Sequence, residues 1–338
     1  MSDIDAIRAA LDTGIVVETS GSTARPKRVQ LSAAALRASA EATAEALGTG
    51  GWVLALPLSY IAGIMVVVRS LVSGTPLVDG RRDPFDARTF TELVQQLPEG
   101  TWFTALVPAQ LVRLLDLAEK DEHARDALRR FERILVGGQA IAAGVVDRAS
   151  ALGIRITRTY GSAETAGGVV YDGHPIGDTV VRIDADGRIV ISTSSLADGY
   201  DGDNALTSEN FIVDDGNRWW RTSDLGSLEN GVLTVEGRAD DVIVTGGIKV
   251  SLGDVDRVLA TAGIDAVATW FSDDTWGQVP AVVSTTELDR TEIRTLIERE
   301  LSREARPYRF VTVTDFPRLS SGKVDRRALR ELVAAAES

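Results

Sequence analysis

Up to residue 159 the chain alternates short apolar runs with longer stretches of helical spacing. Ile15-Val16-Val17, Trp52 to Leu56, Pro76 to Val78, Trp102 to Leu106, Arg133 to Val136 and Ile154 to Thr159 are the apolar runs and read as strands. Between them, Ser32 is placed to cap an Ala- and Leu-rich helix reaching about Leu47. Ile61 to Leu71 predicts a buried helix, and Phe85 to Leu97 and Ala140 to Leu152 two more. Pro108 opens an amphipathic helix with Leu111, Leu114 and Leu115 on one face. Strands alternating with helices in this way predict an α/β protein with a largely parallel sheet.

The pattern changes twice. After Gly161 short strands and turns dominate, with Asp184-Ala185-Asp186-Gly187 and Glu229-Asn230-Gly231 as hairpin signals. This predicts a β-rich, antiparallel segment; the Asp184 turn is too short for an EF-hand. Beyond Gly237 come strands at Val242 to Val244, Ala266 to Trp270 and Val279 to Ser284. Helices near Gly253 to Ala260, Arg290 to Leu301 and Asp325 to Ala335 complete a compact α+β unit. The expected division is a large domain of residues 1–237 and a small one of 238–338, with the boundary at Arg238 to Asp240.

Charge and composition narrow the function. The net charge of −13 argues against a general nucleic-acid binder, which needs a basic face. The chain has no cysteine, so disulfides, thiolate metal sites and a cysteine nucleophile are excluded. His123 and His174 are its two histidines, too few for a histidine-rich metal site. The N-terminus lacks the basic and apolar regions of a signal peptide. The longest uncharged run, Ala46 to Val68, is broken by Gly48, Gly50, Gly51, Pro57, Ser59 and Gly63 and reads as strand, turn and helix, not as a membrane span. A cytoplasmic location is expected.

Six segments carry candidate chemistry. Thr19-Ser20-Gly21-Ser22-Thr23-Ala24-Arg25-Pro26-Lys27 follows a strand and combines hydroxyls, backbone N–H groups and an ammonium. It is suited to phosphate oxygens but lacks Walker A spacing; alone it equally reads as a Ser/Thr-rich turn. Leu56 to Gly63 lies at a strand end and offers Tyr60 to a pocket, or forms a core turn. Tyr160-Gly161-Ser162-Ala163-Glu164-Thr165 offers an aromatic for a base and a carboxylate for a hard cation, or is a polar turn. Arg221 to Gly226 presents Asp224, able to accept ribose hydroxyls or to sit in a β-turn. Gly237 to Asp241 and Val244 to Val250 supply Arg238, Asp240, Gly246 and Gly247, a donor fork and a Gly pair, or a linker and a hairpin. Leu319 to Arg326 places Lys323 in a Gly/Ser loop before the last helix, as a deliverable cation or as a surface lysine.

In order and spacing these segments resemble the adenylate-forming superfamily: acyl-CoA synthetases, peptide-synthetase adenylation domains and luciferases. The run Gly167-Gly168-Val169-Val170-Tyr171-Asp172-Gly173-His174-Pro175 is similar, more narrowly, to the o-succinylbenzoate–CoA ligases of actinobacteria, enzymes of menaquinone synthesis. Those ligases also tend to be shortened at the N-terminus, and here 18 residues precede Thr19. The resemblance implies an ATP-, Mg²⁺- and coenzyme A-dependent acid–thiol ligase acting on a small carboxylic acid through an acyl-adenylate. Thr19, Ser20, Gly21, Ser22, Thr23 and Lys27 would then hold the ATP phosphates, and Glu164 the metal. Tyr160 and Gly161 would sit at the adenine, with Gly137 and Gly138 beside the adenine and the acyl pocket. Asp224 and Arg238 would hold the ribose, and Lys323 would serve adenylation. The small domain would rotate about Asp240, and Tyr60, Gly168, Gly246 and Gly247 would line the acyl and CoA pockets. Arg158 and His174 are candidates for the acid's second carboxylate by proximity in sequence.

Two positions depart from the family pattern: Ala24 stands where glycine is usual, and Tyr60 where many relatives have a histidine or another aromatic. The stretch Tyr60 to Val68 lacks the acid with which peptide-synthetase domains hold an amino group. That disfavours amino-acid substrates. A stand-alone aryl-acid adenylating enzyme that loads a carrier protein, or a non-catalytic nucleotide-binding relative, stay as alternatives. No motif encodes the oligomeric state.

Overall fold

The computed structural model describes residues 3–19, 26–141, 143–318 and 324–336. The chain forms two compact units: residues 1–182, 190–221 and 228–233 in the first, and 183–189, 222–227 and 234–338 in the second.

The first unit is built on a seven-stranded sheet. Its order is Leu77–Asp79, Gly51–Leu54, Trp102–Leu106, Phe131–Val136, Ile156–Ser162, Gly167–Tyr171 and His174–Pro175. The first five strands are parallel and the last two antiparallel. From Gly51–Leu54 the chain crosses to one side for Leu77–Asp79 and returns to the other for Trp102–Leu106. That reversal is a topological switch point, and ligands of such sheets bind beyond the carboxyl ends of the strands there. The strands are apolar on both faces because helices cover both: all five residues of Trp102–Leu106 are buried. Phe90, Leu111, Leu114, Leu115, Leu128 and Phe131 form the core on one side.

A three-stranded sheet carries the first candidate loop. Ile15–Thr19 pairs antiparallel with Lys27–Leu31, and Gly199–Tyr200 pairs with Lys27–Leu31 on its other edge. Val17, Val29 and Leu31 are buried, the period-two signature of a half-buried hairpin.

Several elements go beyond the sequence reading. Asp3–Thr13 is a helix whose Ile7, Ala10 and Leu11 face inward. Glu122–Arg129 is a helix capped by Asp121. Ile154, expected to open a strand, lies before the strand Ile156–Ser162, because its N–H closes the preceding helix on the Ala149 carbonyl (2.9 Å) past a left-handed Gly153. Among the described residues no helix is long and apolar enough to cross a membrane. The uncharged run Ala46 to Val68 splits between the strand Gly51–Leu54 and the helix Ile61–Ser73.

The second unit has a sheet in the order Ile248–Ser251, Val242–Thr245, Gly277–Ser284, Ala266–Asp273, and Arg309–Thr312 pairs parallel with Gly277–Ser284. Alternation along Gly277–Ser284 separates two cores. Val282 packs with Val255, Leu259 and Ile297 on one face, while Val279, Ala281 and Val283 pack with Leu329 and Val333 on the other.

Candidate active site

In the first unit the hairpin register sets Thr19 directly opposite Lys27, and the Thr19 hydroxyl donates to the Lys27 carbonyl (3.4 Å). The expected phosphate groups Ser20, Gly21, Ser22 and Thr23, and the departure at Ala24, lie outside the described residues. The hairpin thus defines the neck of that loop.

Glu164 sits in the short helical turn Ala163–Thr165 that ends the strand Ile156–Ser162. Ser162 caps this turn, its hydroxyl accepting from the Glu164 N–H (3.1 Å) and donating to Oε2 of the same residue (2.7 Å). Oε1 accepts from the Tyr200 hydroxyl at 3.0 Å. The side chain is buried, and no lysine or arginine among the described residues pairs with it. Tyr200 in turn lies under Lys27, whose Nζ is 5.2 Å from the ring centroid. Burial pushes the Tyr200 phenol up, and the Glu164 carboxylate pushes it further, so Tyr200 is a standing donor. The structure therefore joins Lys27 and Glu164, segments far apart in sequence, through a residue that sequence reasoning missed. No motif marks Tyr200; its relation to Glu164 exists only once Gly199–Tyr200 pairs with Lys27–Leu31.

A buried carboxylate held by two neutral hydroxyls has lone pairs left for a hard cation. Among the described residues no three potential ligands cluster. One carboxylate fits Mg²⁺ brought by a nucleotide's phosphates better than a resident metal.

The carboxyl edge of the parallel sheet brings the other candidates of this unit. Tyr60 is half-buried at the N-cap of the helix Ile61–Ser73, next to the switch point. Gly137, at the end of Phe131–Val136, donates to the Leu106 carbonyl (3.3 Å), and Gly138 is left-handed (φ 84°). Tyr160 pairs with Val170, and the ladder slips between Tyr160 and Gly161. Three of these glycines meet steric demands of the fold. A Cβ on Gly161 would lie 2.1 Å from the Gly167 carbonyl oxygen, and one on Gly137 would lie 2.4 Å from the Thr159 hydroxyl. On Gly168 it would meet Thr159 and Tyr171, both at 3.1 Å.

Sequence reading also missed Arg69. It lies in the helix Ile61–Ser73, read as apolar, and is 5% exposed. Its Nε donates to the Thr43 hydroxyl (3.1 Å), which also meets the Tyr171 hydroxyl (3.0 Å), and its guanidinium is 5.3 Å from the Trp52 ring centroid. A Cβ on Gly167 would be 3.7 Å from Arg69 Nη2. No carboxylate among the described residues pairs with it. The uncharged run noted above ends on this residue, the available signal. By contrast Arg158 is exposed and bound to Asp172 through both its N–H and Nε (3.1 and 3.0 Å), and His174 is exposed.

In the second unit Arg238 bridges Asp224 (3.2 Å) and Asp240 (2.6 Å). Gly246 and Gly247, at φ 56° and 83°, make a two-residue turn in which Thr245 faces Ile248. Trp276 covers the Gly246 side, 2.9 Å from where its Cβ would be. Lys323 lies outside the described residues. On either side of its loop Arg318 bridges Val324, and Asp325 caps the helix Arg326–Ala335. Arg326 is held by Asp256 (2.6 Å) and Asp241 (3.7 Å).

A cation on a strand-edge hairpin, facing a metal-ready carboxylate at the mouth of a parallel sheet, defines a nucleotide-phosphate-binding α/β enzyme. More narrowly, the chain belongs to the AMP-binding enzyme family, whose model matches residues 8–200. It is 40% identical over 330 residues to a probable 2-succinylbenzoate–CoA ligase of Mycobacterium tuberculosis, covering 94% of this chain and 84% of the relative. To the 2-succinylbenzoate–CoA ligase of Escherichia coli it is 28% identical, covering 93% and 68%. A solved structure of a variant of that Escherichia coli enzyme with bound OSB-AMS superposes with a TM-score of 0.75 at 26% identity, covering 95% of this chain and 68% of that one. The Bacillus subtilis o-succinylbenzoate coenzyme A synthetase, in complex with ATP and magnesium ion, shares the fold with a TM-score of 0.79 at 23% identity and coverages of 93% and 69%.

Proposed function

We infer that this chain is an AMP-forming acid–thiol ligase that activates 2-succinylbenzoate with ATP and passes the acyl group to coenzyme A. The relatives named above support the substrate, and the Lys27–Tyr200–Glu164 array carries the reading. A carboxylate is a poor acyl donor because its oxygen leaves badly. Attack on the α-phosphate of ATP makes a mixed anhydride and releases pyrophosphate; the thiol then attacks the activated carbonyl and AMP leaves.

Lys27 would hold phosphate oxygens, with Thr19 at the neck of the loop. Glu164 would hold Mg²⁺, which when bound neutralises charge on the phosphates. Lys323 would stabilise charge at the α-phosphate, and rotation of a C-terminal domain about Asp240 would remove it before thiolysis. Tyr60, Tyr160, Gly138 and Gly168 would line the adenine and acyl positions, and Asp224 with Arg238 the ribose.

Arg69 would receive the carboxylate that is not activated. Its buried positive charge has neutral partners among the described residues, a costly arrangement unless an anion arrives. The test supplies 2-succinylbenzoate, coenzyme A, ATP and Mg²⁺ and measures AMP and thioester. Both should appear in equal amounts; AMP-free mixtures would sink the reaction, and absence of thioester would sink the thiol step.

A further inference from the structure

We propose that Tyr200 is a positioning residue that presents Glu164 to the nucleotide-borne cation and links that carboxylate to Lys27. The inference rests on the adenylate-forming reading and adds a residue to it.

The geometry is specific. The phenol reaches one carboxylate oxygen at 3.0 Å while Ser162 holds the other at 2.7 Å, so the carboxylate plane has no freedom to turn. Tyr200 itself is fixed on every side. Its backbone pairs with Val29, two residues from Lys27 on the same strand, and its N–H donates to the Thr207 hydroxyl (2.9 Å). Its ring is edge-on to Phe211 at 5.7 Å, and it is 4% exposed. The lysine sits over the same ring. One side chain therefore touches both groups assigned to the phosphates and their metal: the ring holds the cation, the hydroxyl aims the anion. Each carboxylate oxygen keeps a lone pair after accepting one hydroxyl, so the arrangement aims the ligand without consuming it.

The two functions separate by substitution. Tyr200→Phe keeps the ring under Lys27 and removes the donor. It should weaken Mn²⁺ binding to the complex with a non-hydrolysable ATP analogue about ten-fold, read by electron paramagnetic resonance. The Mg²⁺ concentration at half-maximal pyrophosphate exchange should rise by a similar factor, with the rate recovering as Mg²⁺ saturates. Tyr200→Leu should add a rise of about three-fold in the KM for ATP, because the lysine loses its ring. In a Glu164→Gln background Tyr200→Phe should have no further effect on Mn²⁺. A folded Tyr200→Phe protein with unchanged Mn²⁺ affinity overturns the proposal, as does an undiminished effect in the Gln background. A measurement free of folding loss uses 3-fluorotyrosine at position 200: bound Mn²⁺ should broaden its ¹⁹F line, and an unbroadened line overturns the proposal. A wild type that binds no Mn²⁺ with the nucleotide overturns the functional reading together with it.

Discussion

The two units treat buried and half-buried charge in opposite ways. In the first, Glu164 and Arg69 are buried ions whose described partners are neutral hydroxyls and, for Arg69, an aromatic ring. In the second, Arg238 and Arg326 are each flanked by two carboxylates: Arg238 by Asp224 and Asp240, Arg326 by Asp256 and Asp241. An ion pair inside a fold can be self-sufficient. A buried ion with neutral partners carries a charge that the fold itself does not cancel, and that is what a charged ligand can use.

The sharpest way to break this comparison is Arg69→Met. Catalytic efficiency with 2-succinylbenzoate should fall about a hundred-fold, since the ligand's carboxylate loses a buried partner. Thermal stability should hold or rise, because an apolar side chain replaces an uncancelled buried charge. A drop in stability with an unchanged KM for the acid would make Arg69 a structural ion. Arg326→Met should behave the other way and destabilise by about 1–3 kcal/mol in urea unfolding, because Asp256 loses its cation. The smallest effect belongs to Arg158→Ala. Its exposed pair with Asp172 contributes at most about 1 kcal/mol, and the KM for the acid should not move. A large rise in that KM would return Arg158 to the substrate site and weaken the case for Arg69.

The parallel sheet and the C-terminal α+β unit were legible because their signals are local: apolar runs, Pro and Gly punctuation, helical spacing. Asp3–Thr13 carries the same kind of signal, with Ile7, Ala10 and Leu11 on one face, and shows that an N-terminus read for targeting also needs reading for packing. Lys27–Leu31 was hidden because two of its five residues are basic and only Val29 and Leu31 are buried. Of the candidate site, the lysine and the glutamate stood in recognisable segments. Tyr200 did not, since its meaning comes from a strand pairing and a hydrogen bond that span long stretches of chain. Arg69 was masked by its apolar neighbours, which made a buried charge look like the end of a hydrophobic run.

The discontinuous make-up of the first unit has a practical consequence for dissecting the gene. Lys27 and Glu164 lie before residue 183, Tyr200 after residue 189, and the segment between belongs to the second unit. A fragment ending at residue 182 would keep the lysine and the carboxylate but lose the tyrosine that joins them. A fragment extended to include Tyr200 would carry a strip of foreign surface with no unit to belong to. The first unit cannot be excised as one uninterrupted piece; separating it requires short linkers in place of both residues 183–189 and residues 222–227.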